Sequence, residues 1–387
     1  MNFATLSLTI LKLVNKKTKS NSTQRWVIKI GSSLITDEGK GLNLSAIESW
    51  MQDFALLHER NIELILVSSG AVAEGMARLG WTQRPQSLHE LQAAAAIGQM
   101  GLVQAYERHL QAHKLHSAQI LLTHDDLRDR SRYINARSTL CTLLDLGVIP
   151  VVNENDTVAT DEIRFGDNDN LAALVANLID ANRLIILTDQ AGVYNKNPQQ
   201  FEDAELIRDC SANDPLLDLV AGPSHHTLGR GGMITKIAAA RRAERSGTTT
   251  IIMSGLNPHA LLTVADDDYV GTTIHPTIEP LTARKQWIAN QLQVMGSVEL
   301  DEGASRVLNS GGASLLAVGV RAVQGDFQRG DLIACCDHQG KEIARGLINY
   351  SSQEVELIKG HASGEIEEIL GYVDESELIH RDNLALV

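Results

Sequence analysis

Short apolar runs punctuate the first two-thirds of the chain, and each breaks off in small or polar residues just before an amphipathic stretch begins. Residues 26–30 run into Gly31-Ser32-Ser33, 62–67 into Ser68-Ser69-Gly70, and 118–122 into Thr123-His124-Asp125-Asp126. Residues 148–152 run into Asn153-Glu154-Asn155-Asp156, and 183–187 into Thr188-Asp189. Residues 249–253 and 271–274 add two more runs. Runs this short and this uniformly apolar predict strands buried on both faces, the state of strands in a parallel sheet covered by helices. The stretches between them predict the helices. Ser-Ala-Ile-Glu at 45–48 reads as a capping box opening a helix to about His58, and a second box at 87–90 opens an Ala-rich helix. Gly98 and Gly101 fall inside that helix, where each costs about 1 kcal/mol relative to Ala. They predict a close backbone approach, to another helix or across a subunit interface. A helix over about 131–146 closes at Gly147, and one opened by a Gly-rich loop from Gly229 closes at Gly247.

Residues 25–275 therefore predict an α/β domain, a three-layer sandwich around a mainly parallel sheet. After Gly296 the texture changes to short β-like runs at 315–318, 332–335 and 343–348, which predict a small β-barrel-like domain over 295–372. Residues 276–294 are the linker, with a helical stretch at 282–290, and 373–387 a C-terminal tail. Residues 1–24 read as an extension, disordered or loosely docked. Their apolar stretch precedes Lys16, Lys17 and Lys19, the reverse of the order in a secretory signal. A mis-assigned start or an organelle-targeting role are the alternatives for it.

Composition narrows the function classes. Of 387 residues, 43% are hydrophobic and only 4% aromatic, so the cores must be aliphatic. The net charge of −14 speaks against general nucleic-acid binding and against anionic membrane surfaces. No apolar run is long enough to span a membrane. Cys141, Cys210, Cys335 and Cys336 lack CxxC spacing, which argues against disulfides and zinc and for a reducing cytoplasm.

The chemistry gathers where the strands end. Asn153–Asp156 and the Gly166-Asp167-Asn168-Asp169-Asn170 cluster could hold a zwitterionic small molecule, since Asn both donates and accepts and Asp accepts from an ammonium. Taken alone, the second cluster could be only a turn with an Asx cap. Lys29 sits inside an apolar strand beside Gly31-Ser32-Ser33, which needs an anionic partner or a snorkelling path to water. Lys236 follows the loop Gly229-Arg230-Gly231-Gly232 at a helix start, a place suited to an anion. GxxxxGK[ST] occurs nowhere, so this is not a Walker A loop. Two lysines flanking acidic and amide clusters suit phosphoryl transfer, which is mostly positioning and charge neutralisation. His225 and His226 are adjacent and make a poor metal site; no protein-held metal is predicted.

KIGSS at 29–33, VSSGAVAEG at 67–75, VVNENDTVAT at 151–160, GDNDN at 166–170, LTDQAGVY at 187–194 and GGMITK at 231–236 resemble the amino-acid kinase family, over nearly all of 25–372. They are most similar to its members that act on free glutamate. LDEGA at 300–304 and GDFQRGD at 325–331 resemble a PUA domain. The resemblance implies the amino-acid kinase fold with a C-terminal PUA domain. It also implies ATP- and Mg²⁺-dependent phosphorylation of the glutamate γ-carboxylate to γ-glutamyl phosphate, the first step of proline biosynthesis. Feedback inhibition by proline, a dimer or tetramer and a γ-glutamyl phosphate reductase as partner follow from it too. It implies catalytic roles for Lys29, Lys236 and Asp169, with Asp169 organising the lysines. It places Ser69, Asp156 and Asn168 on glutamate. Lys29, Thr188, Asp189 and the loop of Arg230, Gly231, Gly232, Met233, Ile234, Thr235 and Lys236 fall on the nucleotide. Asp126 and Glu162 match positions tied to proline sensitivity. Arg230 stands where a small residue is more usual and Ser32 where Thr is common, which leaves nucleotide affinity open.

Other readings compete. A kinase of the same fold could act on acetylglutamate, aspartate or a nucleotide monophosphate. An RNA-binding accessory protein would fit the PUA resemblance, but residues 296–387 carry 16 acidic against 7 basic residues, a net −9, where an RNA surface should be basic. An inactive ligand sensor would not need both lysines.

Overall fold

Strand β1 (Gln24–Ile30) sends alternate side chains into two different cores. Trp26, Ile28 and Ile30 enter one, and Val27 enters the other. Lys29 lies two residues beyond Val27 and so shares its face. The computed structural model describes residues 23–37, 41–158, 168–221, 232–277 and 294–387. Around β1 it builds an eight-stranded sheet from β2 (Ile62–Val67), β3 (Ser117–Leu122), β4 (Ile149–Glu154), β5 (Arg183–Thr188), β6 (Asp209–Ser211), β7 (Thr249–Ser254) and β8 (Gly271–His275). The order is β3-β4-β2-β1-β5-β7-β8-β6, and every pairing is parallel except β7 with β8. The expected three layers follow. Helices α1 (Leu44–Glu59) and α3 (Leu88–Gln111) cover the Trp26 face through Trp50, Phe54, Leu102 and Tyr106. Helices α4 (Arg130–Asp145), α5 (Asn168–Leu178) and α6 (Met233–Ala243) cover the Val27 face through Leu140, Leu171, Val175 and Ile237. Between α1 and α3 lies α2 (Ala71–Leu79), which follows Ser69-Gly70.

The helix glycines resolve to contacts within the chain. A Cβ on Gly98 would stand 1.8 Å from the carbonyl oxygen of Ala71, and one on Gly75 would stand 1.7 Å from that of Ala94. Helices α2 and α3 therefore touch backbone to backbone, at a distance only glycine permits. Gly101 instead faces the Arg78 and Glu74 side chains. Helix α3 starts after Ser87 as the sequence put it, α1 starts two residues earlier than a Ser45 cap would place it, and neither capping box forms. Asn43 caps α1, accepting from Ala46 N at 3.1 Å, because the Ser45 hydroxyl is itself bonded to Asn43 Oδ1. Ser87 occupies the cap of α3 without a side-chain bond. Strand β6 lies in a stretch that reads as irregular in the sequence, being only three residues long with one buried side chain.

The second domain is a five-stranded sheet of β9 (Gly296–Leu300), β10 (Val320–Gly325), β11 (Leu332–Cys336), β12 (Glu342–Leu347) and β13 (Leu384–Leu386), in the order β10-β9-β11-β12-β13. Two expectations need correction. The apolar run at 315–318 is not a strand: Leu315 makes a single bridge to Ile379, and residues 317–319 form a 3₁₀ turn. Residues 373–387 are not a tail, since Leu378, Ile379 and Leu384 enter this core and β13 pairs antiparallel with β12. The two domains meet where Ile134 of α4 packs against Leu332, Leu347 and Ala385, and Ser138 Oγ donates to Glu375 at 2.8 Å. All four cysteines are free. Among the described residues no helix is long and apolar enough to cross a membrane.

Candidate functional site

The chain leaves β4 on one side of β1 and re-enters the sheet at β5 on the other, so α5 crosses the Val27 face near β1. That crossing brings the first turn of α5 over Lys29. Lys29 Nζ lies 2.5 Å from Asp169 Oδ1, and Lys236 Nζ lies 3.0 Å from Asp169 Oδ2. Thr235 Oγ1 also donates to Asp169 Oδ2 at 2.8 Å. The three ionic groups are buried, at 3% exposure for Lys29, 0% for Asp169 and 4% for Lys236. Burial alone would raise the Asp169 pKa, but the two ammonium groups outweigh it and hold the carboxyl down to about 2. These three groups by themselves carry two positive charges against one negative. Lys29 does not snorkel.

A second group of side chains lies beside the first. Asn168 Nδ2 donates to the carbonyl of Ser68 and, at 2.7 Å, to Asn153 Oδ1. Asn153 Oδ1 also accepts from Glu154 N at 2.9 Å, while its Nδ2 donates to Gln99 Oε1 at 2.7 Å. Asn170 Nδ2 lies 2.5 Å from His124 Nε2, and His124 Nδ1 lies 3.7 Å from Glu154 Oε2. The two polar clusters singled out in the sequence are thereby joined, directly between Asn153 and Asn168 and through His124 between Glu154 and Asn170, with Gln99 of α3 bonded to Asn153. Ser69 is buried at the end of β2 beside Ser68, whose hydroxyl is bonded to Tyr106 at 2.8 Å. Asp156 helps line a cavity of about 370 Å³ with Gln99, Met100, Glu154 and Asn155.

Thr188 and Asp189 stand at the end of β5, with Thr188 Oγ1 donating to Asp189 at 3.0 Å. Gly31 N bonds Leu187 O at 3.1 Å, which draws the Gly31–Ser33 turn to the same edge as Thr188. Gly232 caps α6 and leads through Met233 and Ile234 to Thr235 and Lys236. Arg230, Gly231 and Glu162 lie outside the described residues. Asp126 accepts from Thr123 N and Oγ1 and from Arg132, at 2.7–2.8 Å. Burial would raise its pKa, but these bonds lower it. Among the described residues no group of three or more His, Cys, Asp or Glu side chains could hold a metal. Asp169 is already shared by two lysines and is not open to one.

Sequence reasoning assigned no role to Gln99 or His124 and did not foresee that Thr235 would bond Asp169. Gln99 did carry a signal: it is a polar residue on the buried stripe of an Ala-rich helix, at 7% exposure.

The model of the amino acid kinase family matches residues 24–254, and that of the PUA domain matches 296–370. A protein named glutamate 5-kinase from Thioalkalivibrio sulfidiphilus is 60% identical over 364 residues, covering 94% of this chain and 97% of that protein. One of the same name from Methylococcus capsulatus is 58% identical over 94% of this chain and 97% of that protein. A third, from Nitrosococcus oceani, is 55% identical over 96% of this chain and the whole of that protein. The chain is a phosphotransferase that belongs to the amino acid kinase family, with a PUA domain at its C-terminal end.

Proposed function

We propose that this kinase transfers the γ-phosphoryl group of ATP to the γ-carboxylate of free glutamate, releasing γ-glutamyl phosphate and ADP. The observation that carries the reading is the Lys29–Asp169–Lys236 cluster at the carboxyl edge of the sheet. The acceptor is a carboxylate, ionised at neutral pH, so it attacks phosphorus without a general base. What the reaction needs is neutralisation of charge on the transferring group and its leaving oxygen, with the reactants in line. Asp169, ionised throughout the working pH range, holds the two ammonium groups where they meet the phosphates. Thr188, Asp189 and the loop from Arg230 to Lys236 take the nucleotide. Ser69, Asp156 and Asn168 take glutamate. Mg²⁺ enters with the nucleotide phosphates and shares their charge.

The relatives' shared name favours free glutamate over acetylglutamate or aspartate. Feedback by proline with Asp126 and Glu162 involved, a dimer or tetramer, and delivery of the labile product to a γ-glutamyl phosphate reductase complete the proposal. The test is ATP consumption with Mg²⁺ and hydroxylamine, which traps an acyl phosphate as a hydroxamate. Glutamate, acetylglutamate and aspartate are offered in turn, with and without proline. Hydroxamate from glutamate alone, suppressed by proline, is the expected result. Turnover of another acceptor instead would discard the substrate and keep the phosphoryl transfer.

A further inference from the structure

The amide chain from Gln99 through Asn153 to Asn168 has a fixed direction, set by backbone groups bonded to Asn153 and to Asn168 whose chemistry is unambiguous. Glu154 N can only donate, so the Asn153 atom 2.9 Å from it must be oxygen. The other Asn153 atom is then the NH₂, and its partner on Gln99, 2.7 Å away, must be an acceptor. At the far end the Ser68 carbonyl can only accept, so the Asn168 atom facing it must be NH₂, which also donates to Asn153 Oδ1. Asn168 Nδ2 is thereby committed to the protein, and Oδ1 is the polar atom Asn168 has left for a ligand. Fully ionised glutamate has one donor group, its α-ammonium. An acceptor facing glutamate therefore faces that ammonium.

We infer that Gln99 is a positioning residue for substrate recognition: its side-chain carbonyl holds the Asn153 amide so that Asn168 presents an oxygen to the α-ammonium of the amino-acid substrate. Gln99 Nε2 is buried without a hydrogen-bond partner among the described residues, beside the cavity that Asp156 also lines, and the inferred role runs through the Gln99 oxygen. It acts from α3, through Asn153, on a residue at the start of α5. Asn153 is 2% exposed, so an Asn153 NH₂ deprived of its Gln99 acceptor is left buried without a partner. Turning the Asn153 side chain to relieve that cost withdraws Oδ1 from Asn168 and frees the Asn168 amide to rotate. The inference rests on the glutamate reading above and refines it, because it assigns the discrimination between an amino acid and a plain dicarboxylate.

The experiment compares Gln99→Met, which keeps the volume and removes the acceptor, with Gln99→Glu, which keeps an acceptor oxygen. For each, KM for glutamate and the inhibition constant of glutarate, which lacks the ammonium, are measured alongside the thermal midpoint. Gln99→Met is expected to raise KM for glutamate roughly tenfold or more. Its glutarate constant should stay within about twofold of the parent's, and Gln99→Glu should return KM to within about threefold of the parent. Gln99→Leu, also without an acceptor, carries the same expectation and replaces Gln99→Met if that variant does not fold. Equal losses in the Glu and Met variants, a parallel rise in the glutarate constant, or an unchanged glutamate KM in a folded Gln99→Met would each overturn the inference. A parent enzyme that forms no hydroxamate with glutamate would overturn the underlying reading, independently of Gln99.

Discussion

Lys29 holds one oxygen of Asp169 at 2.5 Å from the middle of the sheet, leaving the other oxygen to Lys236 and Thr235 from helix α6. Both oxygens of one carboxylate are therefore needed. Asn at this position would turn an NH₂ toward one ammonium and so release one lysine. Asp169→Asn should lower kcat by roughly a hundredfold to a thousandfold, the scale for losing a preorganised charge in phosphoryl transfer. KM for glutamate should change by no more than a few-fold, since Asn168 and Asp156 are untouched. Hydroxamate formation at saturating ATP measures both. A fall in kcat under about tenfold would mean the lysines keep their places without the carboxylate.

The helix crossing gives a prediction of stability. A methyl group at Gly98 would overlap the Ala71 carbonyl oxygen, 1.8 Å away, and neither backbone can yield without separating α2 from α3. Overpacking of this kind costs about 1–3 kcal/mol, and more where backbone blocks relief. Gly98→Ala should lower the thermal midpoint by several degrees. Because α2 begins directly after Ser69-Gly70, it should also raise KM for glutamate. A midpoint within a degree of the parent's would show that the two helices can part at no cost.

The strand-helix alternation was legible because strands buried on both faces leave an unbroken apolar run, and because polar side chains gather where those runs stop. Lys29 stood out as a charge inside an apolar strand, Lys236 as a lysine following a Gly-rich loop at a helix start, and Asp169 as one of a polar cluster where a helix begins. What the sequence could not show was which polar groups meet. Gln99 reaches Asn153, and His124 reaches Asn170, through the packing of α3 and the turn after β3 against the sheet edge. No local pattern records such a meeting. Strand β13 was missed because Leu384-Ala385-Leu386 is too short to show alternation and pairs only through tertiary contact with β12. The cap of α1 was misread because two competent residues, Asn43 and Ser45, stand two apart, and only the fold decides between them.

Acid stability should depend on Glu107. Its carboxylate accepts from Ser117 N and Oγ, each at 2.6 Å, and from Gln111 at 2.9 Å, tying the end of α3 to the start of β3. Burial pushes the pKa up, but these bonds prevail and hold it down to about 2, from 4.5 unperturbed. A carboxyl depressed by folding contributes stability that is complete above the unfolded pKa and is lost as pH falls through the folded one. The loss should therefore run from about pH 4.5 down to about 2. Glu107→Gln should be less stable than the parent by about 1 kcal/mol at pH 7, with the gap closing as the pH falls through that window. Urea unfolding at a series of pH values reads it. A gap constant from pH 7 to pH 3 would assign the stabilisation to shape rather than charge.

Ile134 of α4, with Tyr133 packed beside it, enters a shared apolar cluster with Leu332, Leu347 and Ala385 of the second domain. It is buried and lies apart from the lysine and amide clusters. Placing a carboxylate there would strand a charge among aliphatic groups, at a cost of about 3 kcal/mol or more unless the two domains separate. Separation is the cheaper response, since each domain has its own core. Ile134→Asp should therefore split the calorimetric unfolding of the parent into two transitions, the α/β domain and the PUA domain melting independently. Turnover should stay within about threefold, because Lys29, Asp169 and Lys236 are held by the sheet, α5 and α6 rather than by this cluster. A single transition at the parent's temperature would show that packing at Ile134 contributes nothing to docking. A loss of turnover with both domains still folded would show that the PUA domain reaches the site through α4.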